Sequence, residues 1–304
     1  MPETILILSD RPDRQVRQLQ SSFKSLGFDV LALALADIGF DSRYPSGIAI
    51  PAMNGALPVA VIVRSISSGT FEAITRRLGI LHAFAHLDVP VWNSAKAIER
   101  CVDKSTTTFF LAQAGLPTPE TFAVESLANA KSVAERELTH GPLVLKPLFG
   151  SQGKGIRLIR HIDDLPAPEE IDDVYYLQRY VAHSGPPFCD YRVFTCAGEV
   201  LGMITRRAEG WITNIAKGAK AEPVVGPLRF KLESLALAAS AAIGTDFAGI
   251  DIVPAADGRL LVLEVNSMPA WTGLQSVVPV KIADCIANAL AARIVPRLDE
   301  RPAA

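Results

Sequence analysis

The sequence predicts an α/β protein that opens on a helix-covered parallel sheet and continues into strand-rich units of α+β type. Two observations lead there. From Ile5 to Trp92 short apolar runs alternate with helical spacing, and strands separated by helices build parallel sheets covered on both faces. From Leu143 onward strand-like runs dominate until about residue 228, which marks a change of architecture. A length of 304 residues, 49% hydrophobic and 20% charged, suits two or three packed units of an ordinary globular protein.

In order, Ile5–Leu8 reads as a strand, and Pro12 to Leu26 carries helical spacing that Gly27 ends. Phe28–Leu35 is a second strand, and residues 39–58, rich in Gly and Pro, form a long irregular connection. Ala60–Val63 is a strand, Thr70 to His86 a helix and Val89–Trp92 another strand. After Leu8 comes Ser9-Asp10-Arg11-Pro12-Asp13, with no glycine to bring backbone against a pyrophosphate, so a dinucleotide fingerprint is excluded. This unit reads as a scaffold and an acceptor-binding wall. Asn93-Ser94 caps a helix, and Asp103 opens a second that runs to Gly115, ahead of Pro117 and Pro119. A helix at about 228–243, a strand pair and a last helix from Val280 to Arg293 complete the chain.

The net charge of −2 argues against bulk binding to nucleic acid or an anionic membrane. Four cysteines lie far apart in sequence without CxxC spacing, as expected of reduced thiols. His82 and His86 stand four apart on a helix, but no third ligand or HExxH context accompanies them, so zinc is not expected. Met1-Pro2-Glu3-Thr4 lacks a basic region, and the apolar run behind it is too short for a signal peptide or a membrane span. A cytoplasmic protein is therefore expected.

Chemistry begins at Gly141–Ile159, where Gly150, Gly153 and Gly155 sit between the strand-like runs Leu143–Lys146 and Ile156–Ile159. A Walker A loop is absent. A strand, Gly-rich loop and strand in succession instead let backbone N–H groups fold over phosphates as a flap, with Ser151 and Lys154 adding a hydroxyl and a cation. A plain surface hairpin is the alternative. Lys146 weighs against it, because a lysine ending a largely buried strand needs a partner such as a phosphate.

The second constellation is Gly249-Ile250-Asp251-Ile252-Val253, then Asp257-Gly258, then Leu261-Val262-Leu263-Glu264-Val265-Asn266. Asp-Gly between apolar runs is a strong hairpin signal. A two-residue loop there pairs Ala256 with Arg259 and sets Asp251 opposite Glu264, their β-carbons roughly 4.5–5.5 Å apart. A longer loop makes the pair diagonal, still within reach of one ion. Asn266 lies on the same face. Two carboxylates so close repel unless a cation separates them or one is protonated, and oxygen ligands suit Mg²⁺. A solvated strand face is the bland alternative, and the apolar flanks disfavour it.

With these residues in place, the sequence resembles the ATP-grasp superfamily, and most closely its RimK-type α-L-glutamate ligases. The resemblance runs from about Ala60 to Gly273. It is carried by Asn93–Arg100, Asp103-Lys104, Ala114–Pro119, the flap Gly150–Gly155, Leu177–Val181, Asp190-Tyr191-Arg192, Arg206-Arg207-Ala208 and Leu263–Pro269. It implies an N-terminal pre-ATP-grasp domain (1–97), a central lobe bearing the flap (98–178) and a C-terminal lobe bearing the metal site (179–304). Lys104 and Lys146 correspond to the lysines that contact nucleotide phosphates, with Ser151 and Gly153 in the flap. Gln178 and Tyr180 correspond to the strand that holds adenine. Asp251, Glu264 and Asn266 match the Mg²⁺ (or Mn²⁺) ligands, Arg206 the arginine near the transferred phosphate, and Arg192 and Asn214 positions that contact phosphate or substrate. The stretch Ala182–Cys189, rich in Gly and Pro, departs from the pattern beside Asp190, as does Trp211 before Asn214.

The implied reaction joins an amine to a carboxylate through an acylphosphate made from ATP. The cationic set Arg192, Arg206 and Arg207 beside Asn214 favours L-glutamate as the amine. The acceptor is a small carboxyl-bearing cofactor, such as a pterin or furan C1-carrier, or a protein or peptide C-terminus. Ligation of D-alanine-like substrates and a non-catalytic ATP-binding module are the alternatives. The Arg206–Asn214 segment stands against the first, and the complete set of lysines, arginine and metal ligands against the second. No membrane or nucleic-acid partner is expected, and a homo-oligomeric state is left open.

Overall fold

The computed structural model describes residues 3–150, 153–182 and 185–299. The first unit runs β1 (Thr4–Leu8), α1 (Arg14–Ser25), β2 (Asp29–Leu33), β3 (Gly39–Phe40), β4 (Ile48–Ala49), β5 (Ala60–Val63), α2 (Phe71–His86) and β6 (Val91–Trp92). Four strands form a parallel sheet in the order β2-β1-β5-β6. Ile5–Leu8 and Ala60–Val63 are wholly buried, as unbroken apolar runs must be when both sheet faces are covered. The Asp13 side chain caps α1 by accepting from the Val16 N–H, and Thr70 caps α2 through Ala73. The connection expected to be irregular contains the short antiparallel pair β3–β4.

Next come α3 (Ala95–Val102), α4 (Lys104–Gln113), β7 (Thr121–Glu125), α5 (Leu127–Glu137), β8 (Leu143–Lys146), β9 (Arg157–Ile159) and β10 (Val174–Arg179). The second sheet has the order β7-β10-β8-β9. Apolar periodicity assigned no element to residues 120–140, yet β7 and α5 lie there. The signal was present: Ser126 caps α5, and Ala130, Val133 and Ala134 recur at helical spacing to bury against this sheet.

The chain then forms β11 (Phe188–Cys196), β12 (Glu199–Ala208), β13 (Lys220–Pro223), α6 (Leu228–Ile243), β14 (Phe247–Pro254), β15 (Leu260–Asn266), α7 (Thr272–Gln275) and α8 (Ile282–Asp299). The third sheet is antiparallel, in the order β13-β12-β11-β14-β15. One face buries Ile250, Ile252, Val262 and Val265 against Leu232, Ala236 and Ile243 of α6 and Leu111 of α4. Lys104 therefore begins a helix anchored on the third sheet, although it precedes the second sheet in sequence. α8 returns to α1, where Ile286, Leu290 and Ile294 pack with Leu19 and Phe23. Phe194, Phe247 and Trp271 join the same core, so the first and third sheets share apolar contacts. Asn93, fully buried at their junction, donates to the Phe247 and Ser267 carbonyls and accepts from the Asp246 and Phe247 N–H groups. Every hydrogen bond of that amide crosses between units, which makes it a costly residue to lose.

Candidate functional site

An open cleft, about 150 Å³ of it enclosed, lies between the second and third sheets. Its lining includes Lys104, Lys146, Gly153, Gln178, Tyr180, Arg206, Asn214, Asp251 and Glu264. Arg192 and Asn266 stand just behind that wall, and Ser151 lies outside the described residues.

Strand pairing sets the carboxylate row. Asp190 is opposite Arg206, Arg192 is opposite Asp251, and Asp251 is opposite Glu264. Asp190 and Arg192 are two residues apart on β11, so they share a face, and the period of two brings all five onto it. The expected pair Asp251–Glu264 is real, but the expected turn is not. Ala255 and Arg259 close the loop, leaving the three residues Ala256, Asp257 and Gly258, the last at φ +83°. That extra residue on its own would place Leu263 opposite Asp251. A bulge between Asp251 and Ile252 on the partner register absorbs it, and Leu263 and Glu264 both line the cleft.

The guanidinium of Arg206 is buried and forks onto Asp190, its Nε donating to Oδ1 at 2.6 Å, while Nη2 lies 3.0 Å from Asp251 Oδ1. Arg192 forks onto the same Asp251, with Nε on Oδ1 and Nη2 on Oδ2 at 2.7 Å. Burial acts to raise the Asp251 pKa, but Arg192 and Arg206 outweigh it and hold the carboxyl below its ordinary value. At Asp190 burial wins over Arg206 and the pKa rises. Of the two aspartates sharing Arg206, Asp251 keeps its charge more firmly.

Asn266 donates from Nδ2 to Glu264 Oε1 at 3.0 Å and to the Gly249 carbonyl at 3.2 Å, which leaves its amide oxygen to offer to a cation. The Asp251 and Glu264 carboxyls stand directly opposite each other on neighbouring strands, and such a pair repels unless a proton or a cation lies between them. Asp251 Oδ1 meets both Arg192 and Arg206, whereas Oδ2 keeps a lone pair beyond its bond from Arg192. The donor set is all oxygen and fits Mg²⁺. Among the described residues no group of three or more His, Cys, Asp or Glu gathers around a common point, so this set is two carboxylates and an amide; His82 bonds Glu99 at the surface.

Across the cleft, burial lowers the Lys146 pKa to about 8, and Nζ donates to Gln178 Oε1 at 2.6 Å. Asp103 ends α3 and caps α4, which fixes Lys104 in the first turn. Its Nζ reaches the Leu148 and Gly150 carbonyls, 3.1 Å each, at the root of the Gly-rich loop. Burial lowers this pKa also. β8 and β9 pair antiparallel, so the loop is the tip of a hairpin that leans over the cleft. Its tip is held from the opposite side, Lys217 Nζ donating to the Gly153 carbonyl at 2.8 Å.

The other expected residues have partners of their own. Gln178 is buried and its side chain is taken up by Lys146, Thr121 and the Tyr176 hydroxyl. Tyr180 meets Trp211 edge-on at 5.8 Å, which gives the departing Trp211 a place in the cleft wall. Asn214 accepts from the Ala216 N–H and so caps a helical turn. Arg207 is not part of the site: the alternation of β12 turns it outward to an exposed pair with Glu222. Asp190 and Lys217 were not singled out as site residues. Asp190 was legible as Asp-x-Arg on one strand face, whereas nothing local marks Lys217.

No helix among the described residues is long and apolar enough to cross a membrane. Comparison with known proteins gives the relationship. A family model for the RimK-like ATP-grasp domain matches residues 101–290. The tetrahydromethanopterin:alpha-L-glutamate ligase of Methanosarcina acetivorans is 30% identical over 88% of this chain and 92% of its own length. The coenzyme gamma-F420-2:alpha-L-glutamate ligase of Methanococcus maripaludis is 32% identical over 64% of this chain and 69% of its own. Among solved structures, a RimK domain ATP-grasp protein from Sphaerobacter thermophilus superposes with a TM-score of 0.70 at 20% identity, covering 94% of this chain and 98% of that one. The chain thus belongs to the RimK-like ATP-grasp family of ATP-dependent ligases.

Proposed function

We propose that the protein joins the amine of L-glutamate to a carboxylate on a small cofactor-like acceptor, releasing ADP and phosphate. One observation carries the reading: a single cleft holds Lys104, Lys146 and Arg206 around the oxygen donors Asp251, Glu264 and Asn266. A carboxylate must approach a polyphosphate in the first step, and this cleft supplies the positive charge that approach needs.

An acceptor carboxylate oxygen attacks the γ-phosphorus and the bond to the ADP oxygen breaks. The glutamate amine then attacks the acyl carbon, phosphate leaves with the acyl–oxygen bond electrons, and the ammonium product loses a proton. Mg²⁺ (or Mn²⁺) held by Asp251, Glu264 and Asn266 would neutralise phosphoryl oxygens. Lys146 and Lys104 meet the phosphates, and Arg206 faces the phosphoryl group in transit with Asp190 fixing its fork. Arg192 acts by orienting Asp251, since that carboxylate takes both of the nitrogens it offers. Gln178 and Tyr180 border the adenine. The flap residues Ser151 and Gly153 cover the phosphates, and the Lys217 bond keeps the tip down against water. Asn214 lines the substrate end.

The two relatives named as alpha-L-glutamate ligases support glutamate and an acceptor of the tetrahydromethanopterin or coenzyme F420 kind over D-alanine-like substrates. Loss of Arg207 from the cleft weakens the charge argument for glutamate, which now rests on these relatives and on the remaining basic residues. The decisive experiment measures ADP release with a panel of amino acids and pterin-type carboxylate acceptors, with mass spectrometry of the product. A mass gain of one glutamyl residue and a preference for glutamate over alanine or glutamine of roughly tenfold or more are expected. Equal rates with alanine would overturn the assignment.

A further inference from the structure

Arg64 ends β5 in the first sheet and is almost wholly buried, 7% exposed. Its backbone N–H donates to the Leu8 carbonyl at 2.8 Å, which places it at the carboxyl ends of β1 and β5. In the order β2-β1-β5-β6 the chain leaves β1 toward one edge and β5 toward the other, so these two strands flank the topological switch point. Crevices at such points are where open parallel sheets bind ligands.

The guanidinium is incompletely satisfied. Nη2 donates to Gln15 Oε1 at 2.9 Å and to the Pro269 carbonyl at 3.0 Å, while Nε and Nη1 have no partner among the described residues. Gln15 Nε2 is a third buried nitrogen without one. All three are donors. Among the described residues Arg64 forms no ion pair, and the carboxylate that acts on it, Asp13, is engaged in capping α1. Burial pulls the guanidinium down to about 10, as expected of a desolvated cation short of counter-charge. Trp271 and Phe247 lie against it, with ring centres at 4.5 and 5.8 Å.

Its place relative to the reacting centre is fixed by the segment that follows Asn266. Arg64 holds the Pro269 carbonyl, and Pro269 packs so closely on Gly249 that an added Cβ would fall 2.9 Å from its ring and 2.7 Å from Arg192 Nη1. Arg192 in turn grips Asp251. Contacts through Pro269, Gly249 and Arg192 link the unpaired cation to the metal-binding edge.

We infer that Arg64 and Gln15 form a binding site for a substrate carboxylate that does not react, on the wall that the first sheet contributes. The ligand's identity rests on the ligase reading above; the site rests on its own donors. The carboxylate comes either from glutamate or from the acceptor, and the two sources are separable.

The test uses the full chain loaded with ADP and Mg²⁺, titrated in turn with L-glutamate and with succinate, a carboxylate without an amine. Arg64→Gln should keep ADP affinity and melt close to wild type, because the loss of its bonds to Gln15 and Pro269 is offset by removal of a desolvated cation that has no ion pair to break. It should weaken one probe tenfold or more: L-glutamate alone if the site holds the amino acid, succinate if it holds the acceptor. Gln15→Met keeps the charge and removes a donor, so it should weaken the same probe roughly three- to tenfold. If both variants bind both probes as wild type does, water fills the gap and the site does not exist. A lower melting temperature with lost ADP affinity in Arg64→Gln would make the residue structural and overturn the proposal as well. Should carboxylate binding depend on Arg64 while ADP release never depends on glutamate, the site stands and the glutamate reading falls.

Discussion

Asp251 and Glu264 face each other across β14 and β15 because two irregularities cancel, a three-residue turn at Ala256–Gly258 and a bulge that admits Leu263. The hairpin is thus built around the carboxylate pair. A regular ladder continued from the longer turn would have given that place to a leucine.

Glu264→Gln tests the pair directly. The variant keeps its volume and its bond from Asn266, so it should fold and melt at or slightly above the wild-type temperature once carboxylate repulsion is relieved. Turnover should fall on the order of 100-fold at limiting Mg²⁺. Full activity there, measured by ADP release, would remove Glu264 from the metal site.

Gly153→Val tests the flap. Gly153 sits at φ +66°, and an added Cβ would come within 3.0 Å of Ile212 Cγ2. A β-branched residue is strained at that backbone angle and pushes the loop off the cleft wall. The rate of ADP release should drop about tenfold or more while ADP binds nearly as well. A variant as fast as wild type would leave the segment an ordinary hairpin.

The third prediction concerns pH. Lys146 is held at about 8 against an ordinary 10.5. Its folded pKa lies below its unfolded one, so between those values the unfolded chain binds more protons and the free protein gains stability as pH rises. Nucleotide phosphate requires the ammonium form. ADP affinity should therefore decline above about pH 8, by up to about tenfold per unit, with proton uptake on binding. Calorimetric titrations in buffers of different ionisation enthalpy would show this, and Lys146→Met should lose the proton uptake. Binding independent of pH across that range would assign the phosphate contact elsewhere.

The neighbours Arg206 and Arg207 should behave oppositely. Arg206→Lys keeps a charge but loses the fork onto Asp190 and the contact with Asp251, so kcat should fall on the order of 100-fold. Arg207→Ala breaks only an exposed pair with Glu222, and stability should change by less than about 1 kcal/mol with activity intact. Thermal melts and steady-state rates on the two variants decide the matter.

Local pattern carried much of this molecule. The apolar runs at Ile5 and Ala60 and the caps at Ser94 and Asp103 have causes within a few residues, and each lies where the sequence places it, whereas the Asp-Gly turn is one residue longer than its local signal implies. α5 was missed although its cap and spacing were present, since a short helix between loops has only a weak periodic signal. Lys217 and Arg64 were beyond reach for a different reason. Their roles come from segments distant in the chain, the flap carbonyl of Gly153 in one case and Pro269 in the other.

By itself the sequence determined the parallel sheet, the glycine hairpin, the hairpin with two facing carboxylates, and the family they compose. Helical and strand periods are properties of neighbouring residues, and family motifs are read in order along the chain. The tertiary structure alone decided which of two adjacent arginines enters the cleft, that α4 carries Lys104 from the third sheet to the flap root, and that Arg64 lies buried without a counter-ion among the described residues. These depend on which strand pairs with which, and on the phase of each face toward a common core. A strand's own residues establish that it alternates; only its neighbours in the sheet establish which side meets the ligand.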